Sequence, residues 1–248
     1  GWHQDAIREN KQRTWDDFLA IAEDAIARGI TSPDHLGIQG GSQGGLLVGT
    51  AFTQRPDLFN AAIVQIPLFD MLRYHVIGRG ASWTGEYGDP RIAEQRAWIE
   101  PYSPYQKLLE NKNYPAPFFW ASTADDRTHP AHARKGAARV KELGQEYFYF
   151  EDMTGGHSGG VDNEQRAKIQ ALQMVYLLQC LAVRADPCQL RIGEIGVDRA
   201  VADRVERHGL APLLGLGHEM MLLDLAPQRA PTQPAAIGFG GRRGRSPS

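Results

Sequence analysis

The chain has 248 residues, of which 42% are apolar and 23% are charged, so it is long enough to bury the core of one sizeable α/β domain. Its formal net charge of -2 gives no electrostatic reason to expect nucleic acid or an anionic membrane as a partner, and no apolar run approaches the roughly 18 residues of a membrane span. We therefore expect no nucleic acid and no membrane, and we expect a small neutral or peptide-like substrate.

Helices and short apolar strands alternate along most of the chain. In chain order the pattern predicts a helix over 14–29, a strand over 35–40, a helix over 43–54, strands over 61–67 and 117–123, a helix over 130–143, a strand over 146–152 and a helix over 163–182. A long polar and aromatic stretch, 68–113, interrupts this order. Such alternation is typical of a parallel sheet covered by helices on both faces, with a ligand site at the carboxyl ends of the strands.

Apolar spacing assigns a buried face to the first and to the last of these helices. In the first helix the residues at helical spacing are Phe18, Ile21, Ala22, Ala25 and Ile26. In the last helix they are Ile169, Leu172, Met174, Val175, Leu178 and Leu181. We expect these sets to form the buried sides of two amphipathic helices.

The sequence changes character near residue 186. Residues 197–207 could form one helix, but from about residue 225 the chain is rich in Pro, Gly, Ala and Arg without periodicity, so we expect disorder there. Arg242, Arg243 and Arg245 form either a small basic interaction patch or part of a solvated tail.

The two cysteines make no disulfide framework and the first residues have no signal-peptide core, which favours a cytoplasmic location and leaves a periplasmic one open.

Two stretches contain the pattern Gly-any-Ser-any-Gly, one around Ser42 and one around Ser158. A nucleophile elbow needs a strand that runs directly into the serine and a helix that leaves directly after it, with glycines because the turn is strained. Ser42 has both, since it follows the strand over 35–40 and precedes the helix over 43–54 in GIQGGSQGGLL. Ser158 lies in a loop, because MTGG precedes it and GGVDN separates it from the next helix. The sequence therefore favours Ser42, whose hydroxyl would lie at the amino end of a helix.

The order of the other candidate residues also favours Ser42. A serine hydroxyl needs a base to remove its proton, and the base needs an acid to fix its tautomer. In α/β-hydrolases the order along the chain is Ser, then Asp or Glu, then His. Here Asp125 and Asp126 follow the third predicted strand, and His157 follows the fourth. The histidines after Ser158 lie only in the segment without alternating elements.

Other interpretations of these motifs stay open. A glycine-rich turn between a strand and a helix can also cradle a phosphate, although this one lacks both the P-loop lysine and an acidic residue that ends a following strand. Taken singly, Asp125 could be a helix cap or a surface carboxylate, and His157 a loop histidine. We interpret His129 and His132 as structural or solvated. No spacing typical of a metal site occurs, so we predict neither a metal nor a cofactor.

An ordered set of motifs resembles the peptidase domain of the prolyl oligopeptidase family over about three quarters of the chain. The set consists of GGSQGGLLVGTAFTQRPDLFNAAIVQIPLFDMLRYH, ASWTGEYGDP, YSPY, ADDRTHPAHARK and GGHSGG. The resemblance implies an α/β-hydrolase fold with Ser42 as nucleophile, His157 as base and Asp125 as the acid that orients the base. It also implies that the backbone N–H of Gln43 is one oxyanion donor and that Arg127 binds a substrate backbone carbonyl.

The same resemblance implies a pocket for the residue that precedes the cleaved bond. Trp83 and Tyr87 match positions that line this pocket in prolyl oligopeptidase, where the tryptophan stacks on a proline ring. A flat aromatic face suits a rigid apolar ring. Leu68 and Thr128 occupy pocket positions where prolyl oligopeptidase has valines. We therefore expect cleavage of short peptides after proline or a small apolar residue, with ordinary packing as the other interpretation of Trp83.

The family places a β-propeller and the first strands of the peptidase domain before the matched region, and those strands carry a tyrosine hydroxyl that is the second oxyanion donor. We therefore expect residues 1–185 to be an α/β-hydrolase peptidase domain incomplete at its amino end, weakly active or poorly folded until the missing part is supplied. Residues 186–248 are expected to be an unassigned extension. The expected reaction is serine-type peptide hydrolysis through an acyl-enzyme. The alternatives are an esterase or acylaminoacyl-peptidase with the same triad, and a catalytically inactive fragment.

Overall fold

The computed structural model of the protein describes residues 1–182. Within them, four parallel strands form a sheet in the order β1-β2-β3-β4. The strands are β1 (Gly37–Gly41), β2 (Ala61–Gln65), β3 (Phe118–Ser122) and β4 (Phe148–Asp152). In this register Val64 pairs with Gly40 on one side and with Phe119 on the other. Because all strands run in the same direction, their carboxyl ends meet at one edge of the sheet, as predicted.

Helices connect the strands and cover the sheet. The α-helices are α1 (Gln12–Ala27), α2 (Gln43–Gln54), α3 (Thr84–Tyr87), α4 (Ala93–Ile99), α5 (Pro104–Lys107), α6 (Ala131–Glu142) and α7 (Asn163–Leu181). Short 3₁₀ turns lie at Gln4–Ala6, Arg8–Asn10, Pro33–His35, Pro56–Leu58, Tyr74–Val76, Gly80–Trp83 and Glu100–Tyr102. No element was predicted over 68–113, yet α3, α4 and α5 lie there. Helices of four to seven residues are too short to produce a periodic apolar pattern.

The sheet separates two apolar layers. Successive residues of a strand point to opposite faces, so Val64 and Phe119 pack in the layer that contains α1, α2 and α6. Ile63 and Phe118, one residue before each of these, pack on the other face against Tyr176 of α7. The predicted α/β fold, with helices on both faces of a parallel sheet, is confirmed.

The predicted buried face of α1 was wrong at Ile21, which is 70% exposed. The helix buries Trp15, Leu19 and Ala22 instead, and the predicted Phe18 packs against the same core while remaining partly exposed. Positions 15, 19 and 22 fall on one stripe of a 3.6-residue helix, whereas position 21 lies about a third of a turn away from it. The prediction therefore assigned to the buried face an apolar residue that lies outside its stripe.

The buried face of α7 also differs from the prediction. Three residues expected to be buried are between 44% and 65% exposed: Met174, Val175 and Leu178. Gln173 and Tyr176 are buried in their place, and each makes at least one hydrogen bond to another element. Gln39 Nε2 donates to Gln173 Oε1 at 3.0 Å. The Tyr176 hydroxyl accepts from Ala62 N–H and donates to the Ala116 carbonyl, both at 2.8 Å.

His132 lies in the core at the start of α6. Its Nδ1 accepts from the backbone N–H groups of Phe69 at 3.1 Å and Asp70 at 3.0 Å. Burial lowers the pKa of His132 to about 3, so the ring is neutral at neutral pH. Its role is to accept two backbone donors in the interior.

Several predictions concern the chain beyond residue 182 and lie outside the described residues. They are the helix over 197–207, the extension over 186–248, the disorder from about 225, and the basic patch at Arg242, Arg243 and Arg245. In the part that the structure describes, no helix is both long enough and apolar enough to cross a membrane.

Candidate active site

Ser42 lies in the turn between β1 and α2. Its φ is 59° and its ψ is -117°, and residues other than glycine rarely adopt a positive φ. The Ser42 N–H donates to the Gln65 carbonyl at 3.0 Å. The Ser42 carbonyl accepts from Leu46 N–H at 3.2 Å and from Leu68 N–H at 3.4 Å. Strand β2 and the loop after it therefore hold the strained turn that a nucleophile elbow requires.

Gly40 and Gly45 leave no room for side chains beside this turn. A Cβ on Gly40 would lie 2.6 Å from the carbonyl carbon of Gly44, and a Cβ on Gly45 would lie 2.8 Å from the carbonyl oxygen of Gln65. Both obstacles are backbone atoms, which cannot rotate away. A Cβ on Gly44, in contrast, would meet nothing within 4 Å. Close passage of the chains therefore requires glycine at positions 40 and 45 and not at position 44.

This difference makes Gly40→Ala and Gly44→Ala a matched pair. We expect Gly40→Ala to displace Ser42 and to slow its labelling by a fluorophosphonate probe at least about 100-fold, the cost of a misplacement near 1 Å. Gly44→Ala adds the same methyl group to open space within a helix. We expect its labelling rate to stay within about twofold of that of the unaltered protein. The labelling rates of both variants are measured beside their circular dichroism spectra. Equal rates in the two folded variants would contradict the steric explanation.

His157 lies between Ser42 and Asp125 and is hydrogen-bonded to both. Its Nε2 is 3.0 Å from Ser42 Oγ, and its Nδ1 is 3.0 Å from Asp125 Oδ2. Asp125 is buried, whereas Ser42 and His157 are partly exposed. Because an ionised carboxylate only accepts, Nδ1 carries the ring proton and Nε2 is free to accept the serine proton. The arrangement can therefore transfer a proton from Ser42 to His157 while Asp125 holds the ring.

Asp125 is held as a carboxylate by donors from its own loop. Its Oδ1 accepts from the backbone N–H groups of Arg127 at 2.9 Å and Thr128 at 3.1 Å. Its Oδ2 accepts from the Thr128 hydroxyl at 2.7 Å as well as from His157. Burial raises the pKa of Asp125, but the hydrogen bonds from Thr128 and His157 outweigh it and hold that pKa below its usual range. The hydroxyl of Thr128, a predicted pocket residue, is thus bonded to Asp125.

Two hydrogen bonds from the end of β3 hold the loop that carries His157. The Ser122 hydroxyl donates to the Gly155 carbonyl, and the Thr123 N–H donates to the Asp152 carbonyl at 2.8 Å. A Cβ on Gly155 would overlap the Asp152 carboxylate. Sequence reasoning missed these supporting residues, and the glycine pair before His157 was their only local signal.

Gln43, the implied oxyanion donor, and Arg127, the implied partner of a substrate carbonyl, both have exposed side chains. Gln43 is the first residue of α2, so its backbone N–H is a donor that the helix itself does not use. Gln43, Lys11 and Glu86 are among the residues that line a cavity of about 430 Å³. The Arg127 carbonyl accepts from Arg79 N–H at 2.9 Å. Both side chains are therefore accessible to a substrate.

Leu68, Trp83 and Tyr87 belong to one apolar cluster with Leu46 of α2. Trp83 is partly buried, whereas Tyr87 and Leu68 are 2% and 3% exposed. The Tyr87 ring packs edge-on against Tyr74, with 5.5 Å between the ring centres. Three of the four predicted pocket residues therefore lie together, with Trp83 the most accessible and the other two packed in the interior. The fourth, Thr128, is not part of this cluster, and its hydroxyl is bonded to Asp125.

Ser158, the other serine in a Gly-any-Ser-any-Gly pattern, and Asp126, the carboxylate next to Asp125, are both exposed. Ser158 lies in the loop between β4 and α7, and Asp126 forms an ion pair with Arg79. Among the contacts of residues 1–182, the ring nitrogens of His157 are bonded to neither of them. In the same part of the chain, no group of three or more His, Cys, Asp or Glu side chains could hold a metal ion.

Residues 1–184 match the model of the prolyl oligopeptidase family. An uncharacterized peptidase of Sinorhizobium fredii is 44% identical over 180 residues, which cover 73% of this chain and 25% of that protein. A prolyl endopeptidase of Dictyostelium discoideum is 33% identical over 165 residues, which cover 64% of this chain and 22% of that protein. The chain thus spans about a quarter of the length of these curated relatives.

Solved structures show the same likeness. A post-proline cleaving enzyme from Rickettsia typhi superposes with a TM-score of 0.71 at 37% identity, over 73% of this chain and 26% of that one. A prolyl endopeptidase structure superposes with a TM-score of 0.69 at 38% identity, over 74% of this chain and 28% of that one. These neighbours confirm the predicted α/β-hydrolase fold.

Proposed function

The chain belongs to the prolyl oligopeptidase family, and we propose on that basis that it is the catalytic domain of a serine peptidase that hydrolyses short peptides. The observation that carries the proposal is the hydrogen-bonded chain from Ser42 through His157 to Asp125, with 3.0 Å at each step. A serine supported in this way can attack a carbonyl carbon.

The proposed reaction proceeds through an acyl-enzyme. Ser42 Oγ attacks the carbonyl carbon of the scissile peptide bond while His157 Nε2 accepts the hydroxyl proton. Asp125 keeps the ring oriented and stabilises the imidazolium. His157 then gives the proton to the leaving amine, and the carbon–nitrogen bond breaks. A water molecule, deprotonated by the same ring, releases the acyl group from Ser42.

The negative charge on the substrate oxygen needs donors that are already in place. We assign the backbone N–H of Gln43 as one such donor, because it lies at the amino end of α2, where the helix dipole also favours an anion. We assign the exposed Arg127 side chain to a substrate backbone carbonyl. The second oxyanion donor that the family resemblance implies is a tyrosine outside this sequence, and we propose that a further part of the whole protein supplies it.

Specificity is proposed to depend on the cluster around Trp83. The Trp83 ring is partly exposed, whereas Leu68 and Tyr87 of the same cluster are packed beneath the surface. A flat ring of this kind suits proline or a small apolar residue before the cleaved bond. The names of the relatives, which include prolyl endopeptidases and a post-proline cleaving enzyme, support the same substrate class.

We propose the same domain limits that the sequence predicts, with residues 1–185 as the peptidase domain and 186–248 as an extension of unassigned role. A β-propeller partner domain and a cytoplasmic or periplasmic location remain part of the proposal. Because the chain spans about a quarter of its curated relatives, peptide length limits belong to the whole protein and not to this domain alone.

A panel of acylated nitroanilide peptides tests this function. The peptides differ only in the residue before the cleaved bond, which is proline, alanine or arginine, and a short-chain nitrophenyl ester is measured beside them. We expect kcat/KM for proline or alanine to exceed that for arginine at least about tenfold. We also expect Trp83→Ala to lower kcat/KM for the proline peptide several-fold and Trp83→Phe, which keeps a flat ring, to restore most of it.

Each alternative function has its own result in this panel. Faster turnover of the ester than of any peptide would favour an esterase, and release of single acylated residues would favour an acylaminoacyl-peptidase. A folded protein that neither cleaves any substrate nor reacts with a fluorophosphonate would be a catalytically inactive fragment.

A further inference from the structure

Thr128 brings a hydroxyl to the oxygen of Asp125 that faces His157. Thr128 Oγ1 lies 2.7 Å from Asp125 Oδ2, and His157 Nδ1 lies 3.0 Å from the same oxygen. Thr128 is 1% exposed, so its hydroxyl is shielded from bulk water. The valine that the family resemblance implies at this position would have no such donor. The hydroxyl is therefore an additional polar group beside the Asp125–His157 pair.

The same hydroxyl has a second acceptor within reach. Thr128 Oγ1 lies 3.0 Å from the Ile66 carbonyl oxygen, and Ile66 has a φ of 34°, which is strained for a β-branched residue. A hydroxyl has one proton to donate. An ionised carboxylate accepts more strongly than a carbonyl, and the distance to Asp125 is the shorter of the two. The proton is therefore directed to Asp125.

We propose that Thr128 is a positioning residue that acts through Asp125, donating its hydroxyl proton to Oδ2 and so helping to set the pH at which His157 can accept the proton of Ser42. The inference rests on the proposed function, because it concerns the same Ser–His–Asp site. It assigns Thr128 to the support of the triad instead of the wall of the substrate pocket.

Two donors, the Thr128 hydroxyl and His157 Nδ1–H, compete for the negative charge on Asp125 Oδ2. The Thr128 hydroxyl takes part of the acceptor capacity of Oδ2 and leaves less for His157. Without that hydroxyl, His157 is the remaining partner of Oδ2 among the described residues, so the carboxylate stabilises the protonated ring more strongly. A protonated ring cannot act as a base. Removal of the hydroxyl is therefore expected to move the acid limb of the activity profile to higher pH.

Other titratable and charged groups lie on the loops that carry Asp125 and His157 or on the elements next to them. They are Asp126, Arg127 and His129 on the Asp125 loop, Arg79 through its ion pair with Asp126, His132 on α6 and Asp152 before the His157 loop. Burial lowers the pKa of His132 to about 3, so it stays neutral over the working range. In residues 1–182, none of these side chains is bonded to the Thr128 hydroxyl. A change confined to that hydroxyl therefore leaves their contacts in place.

Three variants isolate the hydroxyl. Thr128→Val removes it and keeps the branched shape, Thr128→Ala removes it in a second way if the valine variant does not fold, and Thr128→Ser restores it. Thr50→Val is the matched control. Thr50 is fully buried in α2, and its hydroxyl donates to the Tyr102 carbonyl at 2.8 Å. The control therefore loses a buried hydroxyl bond of similar length that involves no carboxylate.

Three measurements report on the pair at each pH. They are kcat/KM for the proline peptide, the rate at which a small fluorophosphonate labels Ser42, and the downfield proton NMR signal of His157 Nδ1–H, assigned by its loss in His157→Ala. Each measurement is plotted against pH, and we expect Thr128→Val to raise the midpoint pH of all three curves by roughly 0.5 pH unit. We expect Thr128→Ser and Thr50→Val to keep the midpoint of the unaltered protein.

The outcomes separate this proposal from the proposed function. Unchanged midpoints in Thr128→Val and Thr128→Ala would overturn the proposed role of Thr128. A change confined to KM for the proline peptide would also overturn it, because that result is expected of a residue that only lines the substrate pocket. If the unaltered protein is folded but is neither labelled nor active, the proposed function fails. The NMR titration still decides the role of Thr128 in that case, because the bond between His157 and Asp125 is observed without turnover.

Discussion

Ser42→Ala is expected to abolish labelling by a fluorophosphonate probe and to lower peptide hydrolysis about 10⁶-fold, the loss typical of removing a triad serine. Ser42 Oγ is the atom that lies 3.0 Å from His157 Nε2, and alanine leaves the base no hydroxyl to activate. Ser158→Ala is the matched control, since both serines lie in a Gly-any-Ser-any-Gly pattern and both changes remove one hydroxyl. Because Ser158 is exposed in a loop, its loss is expected to leave both rates within about twofold.

Mass spectrometry of the labelled protein identifies the reactive serine directly. We expect the probe on the peptide that contains Ser42, in the unaltered protein and in Ser158→Ala alike. Label on Ser158, or labelling that persists in Ser42→Ala, would overturn the assignment of the nucleophile. Circular dichroism of each variant shows whether a lost label reflects lost chemistry or a lost fold.

The nucleophile turn could be predicted because its requirements are local in sequence. A strand, a serine between glycines and a helix follow one another within residues 37–54, and the glycines at 40 and 45 are needed where backbone atoms nearly touch. Asp125 and His157 are distant from Ser42 in sequence, but each follows a parallel strand. Since the carboxyl ends of such strands share one edge, their approach to Ser42 could be expected before the structure was known.

The hydrogen bonds of individual side chains could not be predicted in this way. The buried face of α7 depends on partners that Gln173 and Tyr176 find on other elements, and apolar periodicity contains no information about them. The bond from Thr128 to Asp125 depends on the path of one loop. Its only sequence signal is the Asp-x-x-Thr spacing, because an aspartate often accepts from groups two and three residues further on.

Asp125→Asn is expected to lower kcat about 10⁴-fold, the loss that this change causes in a Ser–His–Asp triad. The carboxylate accepts from His157 Nδ1–H and thereby leaves Nε2 able to accept from Ser42. An amide can instead turn its NH₂ group toward Nδ1, which favours the tautomer with the proton on Nε2. That tautomer donates toward Ser42 and cannot remove its proton. The amide also has no negative charge to stabilise the imidazolium that forms during attack.

Asp126→Asn is the control for this prediction, because the adjacent carboxylate undergoes the same chemical change. Asp126 is exposed and paired with Arg79, and an exposed ion pair contributes little to stability. We therefore expect its kcat to stay within about twofold of the unaltered value. The two variants are compared by kcat on the proline peptide and by labelling rate. A larger loss in Asp126→Asn would make the second carboxylate the orienting acid, whereas a loss below tenfold in both would mean that His157 acts without a carboxylate, against the 3.0 Å bond that joins it to Asp125.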